Sequence, residues 1–324
     1  MALYLITGVA GFIGSALARQ LLANGYAVRG IDNCPSGSLN KLADCLDDID
    51  FRPGDIRDAA TMKRACTGVD FVLHQAAMAS VPQSIELPFE THDCNVNGTL
   101  NVLLASRDAG VKRVVYAASS SAYGDQPDLV KHEEMCPRPL SPYAVQKLAG
   151  EHYMQAFYTV YGLETVCLRY FNVFGPRQAA NSPYSGVIAK FISVMLDGGR
   201  PTIFGDGLQS RDFTFVENVV SANLLACQAQ TELVAGHVFN IGTGCSQTLC
   251  DLHANLSEIL GLSCDPIYEP ARIGDVQHSL ANIAKANQAM GYVPLVDFYD
   301  GLEHTVQWYL TTQRDLGQEA SAFR

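Results

Sequence analysis

Short runs of apolar residues alternate with segments of helical periodicity along the first half of the chain. Nearly continuous apolar strands separated by helices are typical of a parallel sheet covered on both faces. The pattern therefore predicts an α/β protein with a doubly wound parallel sheet of the Rossmann type. The predicted strands are 3–8, 27–32, 49–55, 70–77, 113–119 and 164–175. The predicted helices between them include 12–24, about 92–109, and 143–161.

The alternation ends after Gly175, where a loop rich in glycine, proline, asparagine and serine begins. A helix at 187–197, a short strand at 201–207 and a buried strand at 237–244 are predicted beyond it. We expect the segment around 213–245 to return to the main sheet. The sequence therefore predicts two domains. They are a Rossmann domain of residues 1–175 plus roughly 213–245, and a smaller α/β lobe of residues 176–212 and 246–324.

Composition and charge limit the classes of function that this chain can have. The chain has 324 residues, 48% hydrophobic and 17% charged, as in a globular protein. Its 22 Lys and Arg against 33 Asp and Glu give a net charge of −11, which argues against a nucleic-acid partner. Ten scattered cysteines form no CxxC pair, so we expect free thiols, no metal centre and a reducing, cytoplasmic setting. No signal peptide and no membrane span are predicted.

Three glycines, Gly8, Gly11 and Gly14, lie between the first predicted strand and the first predicted helix. Glycines there allow a tight turn and the close approach of a pyrophosphate to the helix N-terminus. Asp32 ends the second strand, where a carboxylate accepts hydrogen bonds from ribose hydroxyls and repels a 2′-phosphate. The pattern therefore predicts NAD, rather than NADP, as cofactor.

Further cofactor contacts are predicted at the ends of the next strands. Asp55 either reaches the adenine edge or caps a turn, while Ala76 and Ala77 are small enough for a dinucleotide to lie close. Asn95 lies inside a predicted helix, which is unfavourable unless it has a partner, so it either supports the active-site strand or is solvated. Flanking residues complete the predicted cofactor set: Phe12, Ile13, Asn33 and Ile56.

The candidate chemistry follows the fifth strand, where a run of serines emerges at the carboxyl end of the sheet. A helix beginning near 143 places the Tyr143 phenol and the Lys147 ammonium on one face. A free phenol titrates near ~10, and a neighbouring ammonium and a nicotinamide cation would both favour the phenolate. Tyr143 is therefore predicted to be a general base, with Lys147 tuning it and binding ribose.

Several blocks of the sequence resemble the extended short-chain dehydrogenase/reductase family, specifically its NAD-dependent nucleotide-sugar epimerases. These blocks are "TGVAGFIG", "NVNGT", "SSSAYGD", "SPYAVQK", "LRYFNVFGPRQ" and "GDGLQSRDF". The resemblance implies tightly bound NAD and reversible epimerisation at carbon 4 of a UDP-hexose through a 4-keto sugar. It also implies that Tyr143 takes the hydroxyl proton while Ser119 assists, and that the protein is a homodimer formed through helices 92–109 and 143–161. A protein that only sensed the dinucleotide would not need Ser119, Tyr143 and Lys147 together.

Enzymes of that family that catalyse other reactions carry different residues at identifiable positions of this chain. Sugar dehydratases and decarboxylases carry acidic groups where this chain has Ser119, Ser120 and Ser121, and three hydroxyls cannot replace them. UDP-glucuronate epimerases often have an arginine where this chain has Ala179, so a neutral sugar is favoured.

The resemblance also implies a UDP-sugar site in the smaller lobe. A small residue at Ser279 leaves room for a 2-acetamido group, which favours UDP-N-acetylglucosamine and UDP-N-acetylgalactosamine. UDP-glucose/UDP-galactose and UDP-glucuronate remain the alternative substrates, and an exposed turn is the alternative account of Ser279. The remaining implied substrate contacts are Ala79, Asn172, Gln178, Val187, Thr202, Phe204, Arg211, Arg272 and Asp275.

Overall fold

The computed structural model of the chain describes residues 1–34, 38–180, 186–271 and 277–322. Its first strands are β1 (Leu3–Thr7), β2 (Ala27–Asp32), β3 (Ile49–Pro53), β4 (Phe71–His74), β5 (Arg113–Ser119), β6 (Val130–Lys131), β7 (Glu164–Tyr170) and β8 (Val173–Phe174). The later strands are β9 (Thr202–Phe204), β10 (Ser210–Arg211), β11 (Thr214–Phe215), β12 (His237–Ile241), β13 (Gln247–Thr248), β14 (Ile267–Glu269) and β15 (His278–Ala281).

Helices connect these strands in the order that a doubly wound fold requires. They are α1 (Phe12–Ala23), α2 (Ala59–Cys66), α3 (Val81–Glu86), α4 (Pro88–His92), α5 (Gly98–Asp108) and α6 (Pro142–Tyr161) in the first half. The second half contributes α7 (Val187–Leu196), α8 (Val216–Gln228), α9 (Thr231–Val234), α10 (Leu249–Leu260), α11 (Ala284–Met290) and α12 (Phe298–Ala322).

A seven-stranded parallel sheet in the order β12-β7-β5-β4-β1-β2-β3 forms the main layer, which confirms the predicted fold class. Neighbouring residues along each strand enter opposite cores, so that Leu5 and Ile6 of β1 pack into different hydrophobic clusters. The strand order reverses between β1 and β4, and ligands of such sheets bind outside the carboxyl ends of the strands at this point. Predicted strand 237–244 is confirmed as β12, which pairs with β7.

The predicted helix 92–109 begins earlier than expected and is not uniform. It starts with α4, passes through a π-helical turn at Asp93–Asn97, and continues as α5. The helix predicted at 143–161 is confirmed as α6: Pro142 occupies its first turn, and the Ser141 hydroxyl accepts a hydrogen bond from the Ala144 amide at 3.2 Å. A left-handed residue, Gly162, ends it.

The second hydrophobic unit lies beyond the main sheet. Residues of α7, α10 and α12 pack with the ends of β8, β9 and β11 around Phe174, Phe191, Ile203, Phe215 and Leu256. Its strands are short, with β13-β10-β15-β6 forming one small sheet and β14-β9 another. The predicted strand 201–207 is therefore confirmed only over Thr202–Phe204.

Candidate active site

The turn between β1 and α1 is shaped by glycine. Gly8 has φ +71, and a Cβ there would lie 2.8 Å from the backbone N and Cα of Ala76. A Cβ on Gly14 would collide with the Gly8 carbonyl oxygen, and one on Gly11 would lie 3.0 Å from that same atom. The turn therefore keeps its backbone open at the N-terminus of α1, the arrangement that suits a pyrophosphate.

Asp32 lies beside this turn at the end of β2. One carboxylate oxygen accepts the Ala10 amide at 3.0 Å and the other accepts the Cys34 amide at 2.9 Å. Each oxygen keeps a further lone pair for an outside donor. The structure thus places a carboxylate at the edge of the glycine turn, where we expect a ribose.

Asp55 follows β3 and is engaged by its own chain. Arg57 contributes both a guanidinium at 2.7 Å and a backbone amide at 2.9 Å, and Asn33 donates at 3.1 Å. The Arg57 hydrogen bond is the main reason that the pKa of Asp55 is lowered to about 2. Of the two interpretations open from the sequence, these contacts favour the turn cap.

Three other predicted cofactor residues use their side chains for packing. Ile56 is buried against Gly98, whereas Phe12 and Ile13 pack against the hydrophobic cluster of the smaller lobe. Any contact of these residues with a cofactor would therefore involve mainly their backbone. Ala76 and Ala77 follow β4 beside the glycine turn, as expected.

Ser119, Tyr143 and Lys147 gather at the carboxyl end of β5. The Ser119 hydroxyl accepts a hydrogen bond from that of Ser121 at 2.8 Å and lies beside the Tyr143 phenol. Lys147 is 3% exposed, and its ammonium donates to the Ala117 carbonyl at 2.9 Å. Ser120 begins the 3-10 turn that carries these serines.

Burial raises the pKa of Tyr143, and the neighbouring Ser119 hydroxyl opposes the rise in part. The tuning of the phenol by Lys147 stays a prediction. Burial also lowers the pKa of Lys147 to about 8. A positive charge on a bound nicotinamide is the second predicted source of phenolate stabilisation, beside the Lys147 ammonium.

Asn95 lies in the π-helical turn and supports both walls of the site. Its side-chain oxygen accepts the Met78 amide at 2.8 Å, and its NH₂ group donates to the Met78 carbonyl at 3.2 Å and to Gln146 at 2.9 Å. Gln146 in turn donates to Thr91 at 3.0 Å. The amide therefore ties the segment before Ala79 to the helix that carries Tyr143 and Lys147.

A cavity of about 450 Å³ is lined by residues of α7, β9 and β10. It brings together five of the predicted substrate residues: Asn172, Val187, Thr202, Phe204 and Arg211. Lys190, Arg200 and Gln209 also line it and were not predicted. Lys190 lies in the predicted helix 187–197 and Arg200 just beyond it, and nothing in the sequence pattern distinguishes either from a solvated surface charge. The cavity combines apolar walls with cationic groups, which suits a nucleotide.

The other predicted substrate residues lie in different parts of the structure. Gln178 donates to the Val173 carbonyl at 3.1 Å, and Ser279 pairs in register with Arg211 on the neighbouring strand. Ser279 is half-buried within β15, so the exposed-turn account of this residue is wrong. Arg272 and Asp275 lie outside the described residues.

Comparison with known proteins agrees with this geometry. The model of the NAD dependent epimerase/dehydratase family matches residues 4–242. The chain belongs to this family. It is 36% identical to the putative UDP-glucose 4-epimerase of Methanocaldococcus jannaschii, over 96% of this chain and 99% of the relative.

Two solved structures share the whole architecture of this family member. UDP-glucose 4-epimerase from Thermotoga maritima, solved with UDP-glucose, is 38% identical with a TM-score of 0.91, covering 96% of this chain and 99% of that one. UDP-N-acetylglucosamine 4-epimerase from Methanobrevibacter ruminantium, in complex with UDP-N-acetylmuramic acid, is 37% identical with a TM-score of 0.91 and the same coverage. The chain is an enzyme, and its cofactor is NAD.

The residues present fit NAD. The glycine turn leaves space that a Cβ at Gly8 or Gly14 would fill, and Asp32 stands at its edge. Within the described ranges, no cluster of histidine, cysteine and acidic groups is suited to a metal ion, and no helix is long and apolar enough to cross a membrane.

His74 was missed by the sequence analysis. It is 1% exposed at the end of β4, with Nδ1 2.7 Å from the Thr7 hydroxyl and Nε2 3.0 Å from the Thr99 hydroxyl. Thr99 donates its own proton to the Asn95 carbonyl, so it accepts from Nε2, and Nδ1 accepts from Thr7. Burial and the nearby Lys147 charge lower the His74 pKa to about 3. A lone histidine in an apolar strand gives no sequence signal of this arrangement.

Proposed function

We propose that this enzyme reversibly epimerises a UDP-hexose at carbon 4 through a 4-keto sugar. The observation that carries the proposal is the placement of the Ser119 hydroxyl beside the Tyr143 phenol, with the buried Lys147 ammonium on the same helix as the phenol. This group lies at the carboxyl edge of the sheet, to which the glycine turn and Asp32 also belong. The cavity of about 450 Å³ in the smaller lobe supplies the place for a UDP moiety.

The side chains divide the proton transfer between them. Tyr143 accepts the proton of the carbon-4 hydroxyl, and the neighbouring Ser119 hydroxyl hydrogen-bonds that same sugar hydroxyl. Lys147 is held by the Ala117 carbonyl and stabilises the negative charge that develops on the phenol. When bound, NAD supplies the group that accepts hydrogen from carbon 4 and returns it. Gly8, Gly11, Gly14 and Asp32 are the residues that would hold it.

The cavity in the smaller lobe is assigned to UDP. Arg211 is oriented by the carbonyls of Ser210 at 2.9 Å and Gln277 at 3.2 Å, and its charge suits a diphosphate. Asn172 lines the same cavity, while Thr202 and Phe204 offer walls to a planar base.

We infer that the preferred substrates are UDP-N-acetylglucosamine and UDP-N-acetylgalactosamine. The support is the small side chain of Ser279 on β15, the residue paired with Arg211 of β10, which by resemblance to the family would leave room for an acetamido group. UDP-glucose with UDP-galactose is the second candidate, since the chain is 38% identical to the Thermotoga enzyme and 37% identical to the Methanobrevibacter enzyme, with a TM-score of 0.91 to each. UDP-glucuronate is less favoured, because Ala179 offers no cation to its carboxylate.

A panel of UDP-sugars tests both levels of this proposal. The purified enzyme is incubated separately with each of the three UDP-sugar pairs, and products are identified by nuclear magnetic resonance. We expect interconversion of the N-acetylhexosamines at the highest kcat/KM. Turnover of UDP-glucuronate alone would contradict the substrate assignment, and no epimerisation of any of them would contradict the activity.

We also propose a cytoplasmic homodimer. Val145, Tyr153, Val160 and Tyr161 leave large apolar surfaces exposed along α6, as a helix-to-helix interface requires. The ten cysteines are all free thiols, which fits a reducing compartment. Light scattering should give twice the 35.1 kDa mass of the chain, and the mass of a single chain would contradict the dimer.

A further inference from the structure

The residue after Arg211 is a carboxylate with no access to solvent. Asp212 is 0% exposed and accepts five hydrogen bonds. One oxygen accepts the Thr243 amide and hydroxyl, both at 2.8 Å, and the Thr214 hydroxyl at 3.5 Å. The other accepts the Gly244 amide at 3.0 Å and the Ala281 amide at 3.2 Å. No cation is among these partners, so backbone amides and hydroxyls alone compensate the buried carboxylate.

The four bonds from Thr243, Gly244 and Ala281 join three separate parts of the fold. Thr243 and Gly244 follow β12 of the main sheet, Ala281 ends β15, and Asp212 itself continues β10. The backbone around the carboxylate is closely fitted, since a Cβ on Gly242 would lie 2.7 Å from one Asp212 oxygen. The backbone therefore encloses the Asp212 carboxylate where the main sheet meets the smaller lobe.

The same carboxylate extends the pairing between β10 and β15. The backbone ladder runs from the Ser210 amide to the Gln277 carbonyl at 3.0 Å and from the Asp212 amide to the Ser279 carbonyl at 2.7 Å. The Asp212 side chain then takes the next position by accepting the Ala281 amide. Arg211 and Ser279 are the paired residues in the middle of this ladder, so their spacing depends on it.

We propose that Asp212 is a positioning residue that fixes Arg211 and Ser279 relative to the NAD-binding sheet. Through Arg211 it sets the affinity for the diphosphate of a UDP-sugar, and through Ser279 it sets the distance of the pocket wall from the sugar. The inference rests on the proposed function for the identity of the ligand. It goes further by naming a residue that touches neither substrate nor cofactor.

Asp212→Asn is the decisive variant because it keeps the size of the side chain. An amide has one acceptor oxygen, so whichever way it is turned, its NH₂ group faces at least two of the five present donors. We expect the Kd for UDP, measured by titration calorimetry, and the KM for the UDP-sugar to rise at least about tenfold. We expect kcat and NAD content to stay within about twofold of the wild type, because Tyr143 and the glycine turn are not touched.

Asp70→Asn is the matched control. Asp70 also accepts a backbone amide, that of Leu3 at 2.9 Å. It directly precedes β4, however, and so lies at the amino ends of the parallel strands. This variant should keep the wild-type Kd for UDP. Thr243→Val and Thr243→Ser form a second pair: the first removes one donor and should weaken UDP binding severalfold, and the second keeps the hydroxyl and should restore it. This pair decides the question if Asp212→Asn does not fold.

Three outcomes would overturn the inference. Wild-type UDP affinity in folded Asp212→Asn would overturn it while leaving the proposed function in place. A parallel fall of UDP affinity, kcat and NAD content would show a general loss of structure instead of positioning. Absence of UDP binding by the wild-type chain would overturn the proposed function and this inference together.

Discussion

Substitution of His74 by asparagine tests whether this buried imidazole is neutral. The asparagine oxygen can replace Nδ1 as acceptor for the Thr7 hydroxyl, so the variant keeps one of the two contacts. In the folded protein the His74 pKa is about 3, against 6.5 for the free side chain. Between these values the unfolded chain binds a proton that the folded chain does not, so stability falls as the pH is lowered through this window.

The size of the effect follows from the two pKa values. The slope approaches about 1.4 kcal/mol per pH unit below pH 6.5, so lowering the pH from 7 to 5 should cost the wild type about 2 kcal/mol through His74 alone. The variant lacks this contribution, and all other groups cancel when the two proteins are compared. Lys147 does not interfere, because its pKa of about 8 places its own contribution at higher pH.

The assay is urea unfolding followed by circular dichroism at pH 7 and pH 5 for both proteins. We expect the variant to be less stable at pH 7, through loss of the Thr99 contact, but to lose about 2 kcal/mol less than the wild type on going to pH 5. An equal loss in the two proteins would refute the assignment of a neutral, proton-excluding histidine.

Three further substitutions test other parts of the structure. Gly14→Ala should abolish NAD retention, measured as cofactor released from denatured protein, because its Cβ collides with the Gly8 carbonyl; normal cofactor content would contradict this. Ser279→Tyr should reduce kcat/KM for UDP-N-acetylglucosamine at least about tenfold while sparing UDP-glucose, and an equal effect on both sugars would count against the pocket assignment. Glu151→Gln should lower the unfolding free energy by about 3 to 5 kcal/mol, since it leaves the buried Arg169 guanidinium, now 2.7 Å from the carboxylate, without a counter-charge; chemical denaturation with no change in midpoint would disprove it.

The main sheet could be predicted from the sequence because its strands are buried on both faces. A run such as that of β1 has no polar alternation, and helices between such runs leave few topologies. The strands of the smaller lobe could not be predicted, since β10, β11 and β13 contain two residues each and have no periodicity. The division of the chain into two domains stays a prediction.

Site residues could be predicted where a residue type with suitable chemistry stands at a characteristic spacing, as for Gly8, Gly14, Tyr143 and Lys147. They could not be predicted where the role of a residue depends on a hydrogen-bond partner that is distant in sequence. The π-helical turn exists where Asn95 reaches the Met78 backbone and Gln146, contacts across 17 and 51 positions that no local pattern records. Asp212 depends in the same way on the Thr243 and Ala281 amides.

The central claim is that the hydrogen on carbon 4 is removed and returned within the enzyme while Tyr143 handles the hydroxyl proton. The most direct measurement is nuclear magnetic resonance of UDP-N-acetylglucosamine incubated with the enzyme in deuterated water. We expect the carbon-4 epimer to form with its original hydrogen retained at carbon 4, and Tyr143→Phe to give no product while keeping its NAD. Deuterium at carbon 4 of the product, or unchanged turnover by Tyr143→Phe, would contradict the account.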